Sequence, residues 1–82
     1  MSIVTVTATA CPTGLTQIST YRDGVMHAAR WEDIAWCLAY AAVARVAREA
    51  CEGAMVAVIT RTEITADSYS MTIEADHDGS EL

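Results

Sequence analysis

The chain of 82 residues carries eleven acidic residues against five arginines and no lysine, for a formal charge of −6 and a pI near 4.5. A mass of 8.8 kDa allows one small domain, and 52 % hydrophobic with 20 % charged residues excludes a disordered acidic chain. The acid is concentrated: the first 62 residues are neutral overall, while residues 63–82 hold six acids and no base. Direct attachment to a nucleic-acid backbone, which runs on Lys and Arg neutralising phosphates, is therefore excluded as a function class.

Ile3 to Ala10 alternates Val4, Val6 and Ala8 with Thr5, Thr7 and Thr9, the period-two pattern of a half-buried strand rich in β-branched residues. Cys11-Pro12-Thr13-Gly14 ends it, because Pro cannot donate to a ladder and Gly frees the backbone for a turn. Leu15 to Arg22 resumes an extended pattern, and Asp23-Gly24 is the strongest hairpin signal in the chain, since a type I′ turn needs positive φ at both central residues. Val25 to Arg30 then reads as a third strand, with Arg22 facing Val25, Tyr21 facing Met26 and Thr20 facing His27.

Trp31-Glu32-Asp33 is expected to open a helix, with two acids in the first turn where the macrodipole favours them. Gly53 closes it at the C′ position, and Ala dominates the residues between. Ala54 to Thr65 and Asp67 to Asp76 read as two more strands, the second alternating Tyr69, Met71, Ile73 and Ala75 with Ser68, Ser70, Thr72 and Glu74. The expected fold is α+β: an antiparallel sheet in β-β-β-α-β-β order packed on one Ala-rich helix. Residues 1–76 form the single domain and 77–82 an acidic tail.

The expected helix has two apolar faces. At 100° per residue with Arg45 at zero, Trp36, Ala39, Tyr40, Val43, Val46, Ala47 and Ala50 fall between about 100° and 220°, a stripe for the sheet, with Trp31 and Trp36 as core anchors. The opposite side carries Ile34, Cys37, Leu38 and Ala41 in its N-terminal half. Left in water, Ile34 and Leu38 forfeit a few kcal/mol at about 25 cal/mol per Å². Such a patch is expected to be a homodimer or partner interface, or to lie under a loop of the monomer.

Signals for catalysis and metal binding are weak. Cys11, Cys37 and Cys51 form no CxxC and read as free buried thiols; on one helix Cys37 and Cys51 would stand about 21 Å apart, too far to bridge. His27 and His77 lack zinc spacing, and Glu74, Asp76 and Asp78 lack the EF-hand pattern, so no metal and no cofactor are expected. His27 reads as a structural histidine, and no nucleophile elbow, Gly-rich phosphate loop or HExxH occurs, so an enzyme is not expected. The opening residues lack a basic segment followed by an apolar core, and no window reaches the ~18 apolar residues of a membrane span, so a cytoplasmic protein without membrane contact is expected.

The carboxylates Glu63, Asp67, Glu74, Asp76 and Asp78 are expected to present an acidic row. Same-face residues on a strand lie about 6.6 to 6.8 Å apart, near the phosphate repeat of a nucleic-acid strand, so the row suits a basic groove on a partner protein. The chain also resembles small phage-encoded anti-CRISPR proteins directed at type I effector complexes. The likeness rests on the Thr/Val-rich first strand (Thr5-Val6-Thr7), the hairpin with Arg22-Asp23-Gly24 before Met26, a third strand with Arg30, the Ala-rich helix and a closing strand. It implies an acidic, commonly dimeric inhibitor that binds Cascade subunits in the host cytoplasm and blocks target-DNA loading or nuclease recruitment. The alternative is an antitoxin-like regulator resembling small β-β-β-α-β domains that occlude toxin active sites. Cys11-Pro12-Thr13-Gly14 after a strand also looks like the phosphocysteine loop of fructose-type IIB phosphotransfer domains, which implies phosphorylation at Cys11, although that family continues into a helix where Thr16 to Tyr21 alternates.

Overall fold

A computed structural model describes residues 2–76. Five strands, β1 (Ser2–Ala10), β2 (Thr16–Arg22), β3 (Val25–Glu32), β4 (Val56–Ile64) and β5 (Ser68–Asp76), form one antiparallel sheet in the order β3-β2-β1-β5-β4. Helix α1 (Ala39–Ala50) packs on one face, against β1, β5 and β2. The expected α+β class and chain order hold. Chain order does not convey sheet order. β1 and β5, the first and last strands, pair at the centre, while β3 and β4 are the edges.

The core is what the alternation of β1 and β5 selects. Val4, Val6 and Ala8 from β1 meet Tyr69, Met71, Ile73 and Ala75 from β5, Ile18 from β2, and Ala39, Ala42, Val43, Val46 and Ala47 from α1. The helical set follows i, i+3, i+4, i+7, i+8 spacing, the stripe that one face of a helix buries. The far face of the sheet is hydroxylic: Thr5, Thr7 and Thr9 lie beside Thr72, Ser70 and Ser68, and the Thr5 and Thr72 hydroxyls approach to 3.4 Å.

The Asp23-Gly24 turn forms as expected, with φ of 53° and 84°. Asp23 also ties the turn to β1, because its Oδ1 accepts the Ile3 N–H at 2.9 Å and its own N–H donates to the Ile3 carbonyl at 2.8 Å. Arg22 pairs with Val25 and Tyr21 with Met26, but a bulge follows, so Thr20 lies opposite Ala28 and not His27. The first loop also closes as expected, with Gly14 at φ 90° and its N–H donating to the Cys11 carbonyl at 3.0 Å.

The helix departs most from expectation. Trp31 and Glu32 are the end of β3, opposite Gln17 and Thr16 of β2, and the α-helix starts only at Ala39 after a 3-10 turn at Trp36–Leu38. Strand pairing overrides the acidic first-turn signal, as tertiary context commonly overrides helix propensity. The Glu32 carboxylate is taken up instead by Arg45, whose guanidinium donates to both oxygens at 3.1 and 3.2 Å. At the other end α1 stops at Ala50, so Gly53, with φ 85°, lies one residue beyond the expected C′ position. The Arg22 guanidinium reaches across from β2 and donates to the Ala50 carbonyl at 2.9 Å, satisfying one of the last carbonyls of α1 with a cation at the negative end of the helix.

Candidate functional site

With α1 centred over β1 and β5, both outer strands are left uncovered. All nine residues of β4 are exposed, as are seven of the eight in β3. β4 opens with Val56-Ala57-Val58-Ile59, apolar on both faces, a composition that suits a strand buried inside a sheet. From the register with β5, Ala57, Ile59, Thr62 and Ile64 point to the helix side, and Val56, Val58, Arg61 and Glu63 to the far side. A bulge at Thr60 separates the two halves, and its hydroxyl donates to the Thr72 carbonyl at 3.4 Å.

Between β4 and α1 runs an apolar groove. A cavity of about 360 Å³ lies among Tyr40, Ala44, Ala47, Ala57, Ile59, Met71 and Ile73, with Arg48 and Cys51 also lining it. A second of about 210 Å³ lies where Ile64 faces Trp36, Cys37 and Tyr69. Tyr40 borders both and stands edge-on to Tyr69, with ring centroids 5.4 Å apart. Burial pushes the Tyr69 hydroxyl and the Cys51 thiol above their ordinary pKa values, with Tyr40 adding to the first and Arg22 opposing the second.

On β3, the register with β2 sends Met26, Ala29 and Trp31 to the far side and Val25, Ala28, Arg30 and Glu32 to the helix side. Arg30 bonds Glu49 of α1 at 3.2 Å, and the Glu32–Arg45 pair completes a double tie between this edge and the helix. Trp31 is 58 % exposed, so it does not anchor the core as its size suggested. It forms an apolar strip with Met26 beyond the hydroxylic face.

The expected helical patch is divided. Ile34 lies ahead of any helix and packs against the core, while Cys37 and Leu38 are exposed on the 3-10 turn and Ala41 is exposed on the first turn of α1. Cys37 is therefore not a buried thiol. Of the expected stripe, Ala39, Val43, Val46 and Ala47 are buried and Trp36 and Ala50 pack partly buried against the core, while Tyr40 is exposed and Ala42 is buried in addition.

The acidic residues do not line up. Asp76 is only 2 % exposed at the end of β5, which runs inside the sheet between β1 and β4, and Glu74 is half-buried. Glu63 is exposed on β4 opposite Ser70, and Asp67 lies exposed in the β4–β5 turn, where its Oδ1 accepts the Thr65 hydroxyl at 3.2 Å. Asp78 and the expected tail at 77–82 lie outside the described residues.

Cys11 occupies the loop between two paired strands, and its thiol donates to the Thr9 carbonyl at 3.8 Å. Strand β2 follows the loop, so no helix N-terminus stands behind Cys11 to supply amides for a phosphate. His27, at the β3 bulge, is exposed and borders a cavity of about 200 Å³ with Thr20, Arg30, Val46 and Glu49. Among the described residues no group of three His, Cys, Asp or Glu side chains is placed to hold a metal, and no helix is long and apolar enough to cross a membrane. Both outer strands are foreseen, but their position as exposed edges is not; the Val56–Ile59 run is misleading here, since an apolar run suits burial on both faces. Set against protein-family models, curated proteins and solved structures, the chain has no significant match in any of the three.

Proposed function

We propose that the protein is a binding module that inhibits or regulates another protein by occupying its surface. The observation that carries this reading is the amount of apolar side chain left in water: Val25, Met26 and Trp31 on β3, and Val56, Val58, Ile59 and Ile64 on β4, are all exposed. Burial of such side chains stabilises an interface by roughly 25 cal/mol per Å², and contiguous exposed patches mark interaction sites. The net charge of −6 steers the module toward a basic partner and raises the association rate. The resemblance to anti-CRISPR proteins supplies the first partner to test, a type I effector complex, whose nucleic-acid grooves are basic.

In this reading the far side of β3 is the partner face, with Trp31 as its anchor, because Trp is among the residues that most often carry the binding energy of an interface. Purified type I effector complex is expected to be captured by the immobilised protein and to lose target-DNA binding or nuclease recruitment in a shift assay. Trp31→Ala is expected to weaken capture by about 2 kcal/mol or more, near thirtyfold, with an unchanged melting curve, since the side chain is solvent-exposed. Failure of the wild type to bind at micromolar concentration rejects the effector complex as partner. Equal capture by wild type and Trp31→Ala rejects the β3 face.

A further inference from the structure

We propose that the β4 edge binds a second copy of this chain, pairing antiparallel with itself about a two-fold axis at Thr62 so that two sheets join into one. The occupant is identified by charge. Arg61 and Glu63 are the charged residues of β4; they sit on the same face, flank Thr62, and are ion-paired to each other within one chain. An antiparallel copy reads this segment in reverse, so a two-fold axis at Thr62 sets Arg61 opposite the partner's Glu63 and Glu63 opposite the partner's Arg61. The segment is complementary to itself, and two exposed intrachain pairs become a four-charge network.

The pleat agrees with this register. A sheet continued across a two-fold axis must pair residues of the same face. Thr62 opposite the partner's Thr62 joins two helix-side residues, and Arg61 opposite the partner's Glu63 joins two far-side residues. An axis at Thr60 would instead set helix-side Ala57 against far-side Glu63 of the second copy, which the bulge forbids. Around Thr62 the pairing spans residues 60–64, setting the 72 % exposed Ile64 opposite the partner's Thr60 and bringing the Ile64 ends of the two grooves together.

The two edges are not equivalent. β3 also carries an Arg-x-Glu segment, Arg30-Trp31-Glu32, but both charges are spent on α1 through Glu49 and Arg45. β4 has neither Pro nor Lys, its two charges cancel, and its bulge at Thr60 lies at the end of the paired segment and not within it. Within the paired segment, Ile64 is an exposed apolar side chain that the second copy covers.

Sedimentation equilibrium at low salt tests the pairing. The wild type is expected at twice the 8.8 kDa chain mass. R61E and E63R each place like charges opposite one another at two positions and are expected to weaken self-association about tenfold or more, with circular dichroism unchanged because both side chains are exposed. The double swap R61E/E63R restores opposite charges and is expected to restore the dimer. A wild-type monomer at 100 μM overturns the proposal (a concentration on the order that weak dimers need). So does a dimer that neither single reversal weakens, or a double swap that fails to rescue. Loss of the dimer in Leu38→Glu but in neither reversal places the contact on the 3-10 turn and also overturns it.

Discussion

Ile18→Ala is expected to cost about 3 kcal/mol, the largest single-residue loss in the sheet. Ile18 is 1 % exposed and is the largest of the fully buried side chains. It stands on β2 opposite Ala8 and points to α1, whose contacting face is built largely from Ala39, Ala42 and Ala47. Alanines let the helix approach the sheet closely, and their own side chains are too short to swing into a void. The cavity therefore stays open, and its cost adds to the lost transfer energy. At about 4 to 8 °C per kcal/mol for a domain of this size, the melting temperature is expected to fall by roughly 12 to 24 °C. Ile18→Val, which removes one methylene, is expected to cost about 1 kcal/mol. Urea denaturation of the three proteins measures both values, and a loss below about 1 kcal/mol for Ile18→Ala would show that the site collapses around the smaller side chain.

Arg22→Met is expected to cost about 2 kcal/mol while leaving the apolar stem in place. The guanidinium donates to the Ala50 carbonyl at 2.9 Å in a part-buried setting, at the end of α1 where the unpaired carbonyls concentrate negative potential. Removing it leaves an acceptor without a charged donor and unties the helix end from the hairpin. Fraying is expected to start at Ala47–Ala50, so faster amide exchange there, with β1 and β5 amides unchanged beyond the global loss, distinguishes this mechanism from general destabilisation. Arg22 also opposes the burial that raises the Cys51 thiol, so its loss pushes that thiol further up.

The strands and the hairpin could be read from the sequence because their signals are local. Val and Thr in alternation, and Asp-Gly with both φ values positive, dictate extended chain and a tight reversal without reference to the rest of the molecule. The start of the helix could not, because Glu32-Asp33 ahead of an Ala-rich run satisfies helix rules, while the competing partner, Thr16-Gln17 of β2, is distant in sequence. The burial of Asp76, one member of the expected acidic row, was hidden for a similar reason. Alternation along β5 correctly separates a core face from a polar face, but whether the polar face meets water at Asp76 depends on neighbouring strands. The same dependence hid the edge position of the outer strands: Val56-Ala57-Val58-Ile59 reads as a central strand and becomes an edge only because β1 pairs with β5 and β2.

The proposed pairing covers the second half of β4, residues 60–64, and leaves the Val56–Ile59 run at the open end of the edge. On the two proposals above, the edges have separate tasks, β4 for assembly and β3, with Trp31, for the partner. Amide hydrogen exchange of the wild-type protein, followed by concentration, addresses this division directly. The outward amides within residues 60–64 of β4 are expected to gain protection as concentration rises from the low to the high micromolar range, on the order of weak dimer affinities, while the outward amides of β3 exchange freely throughout. Outward amides of residues 60–64 that exchange at one unprotected rate across that range, or β3 amides that gain protection in step with them, would contradict the account.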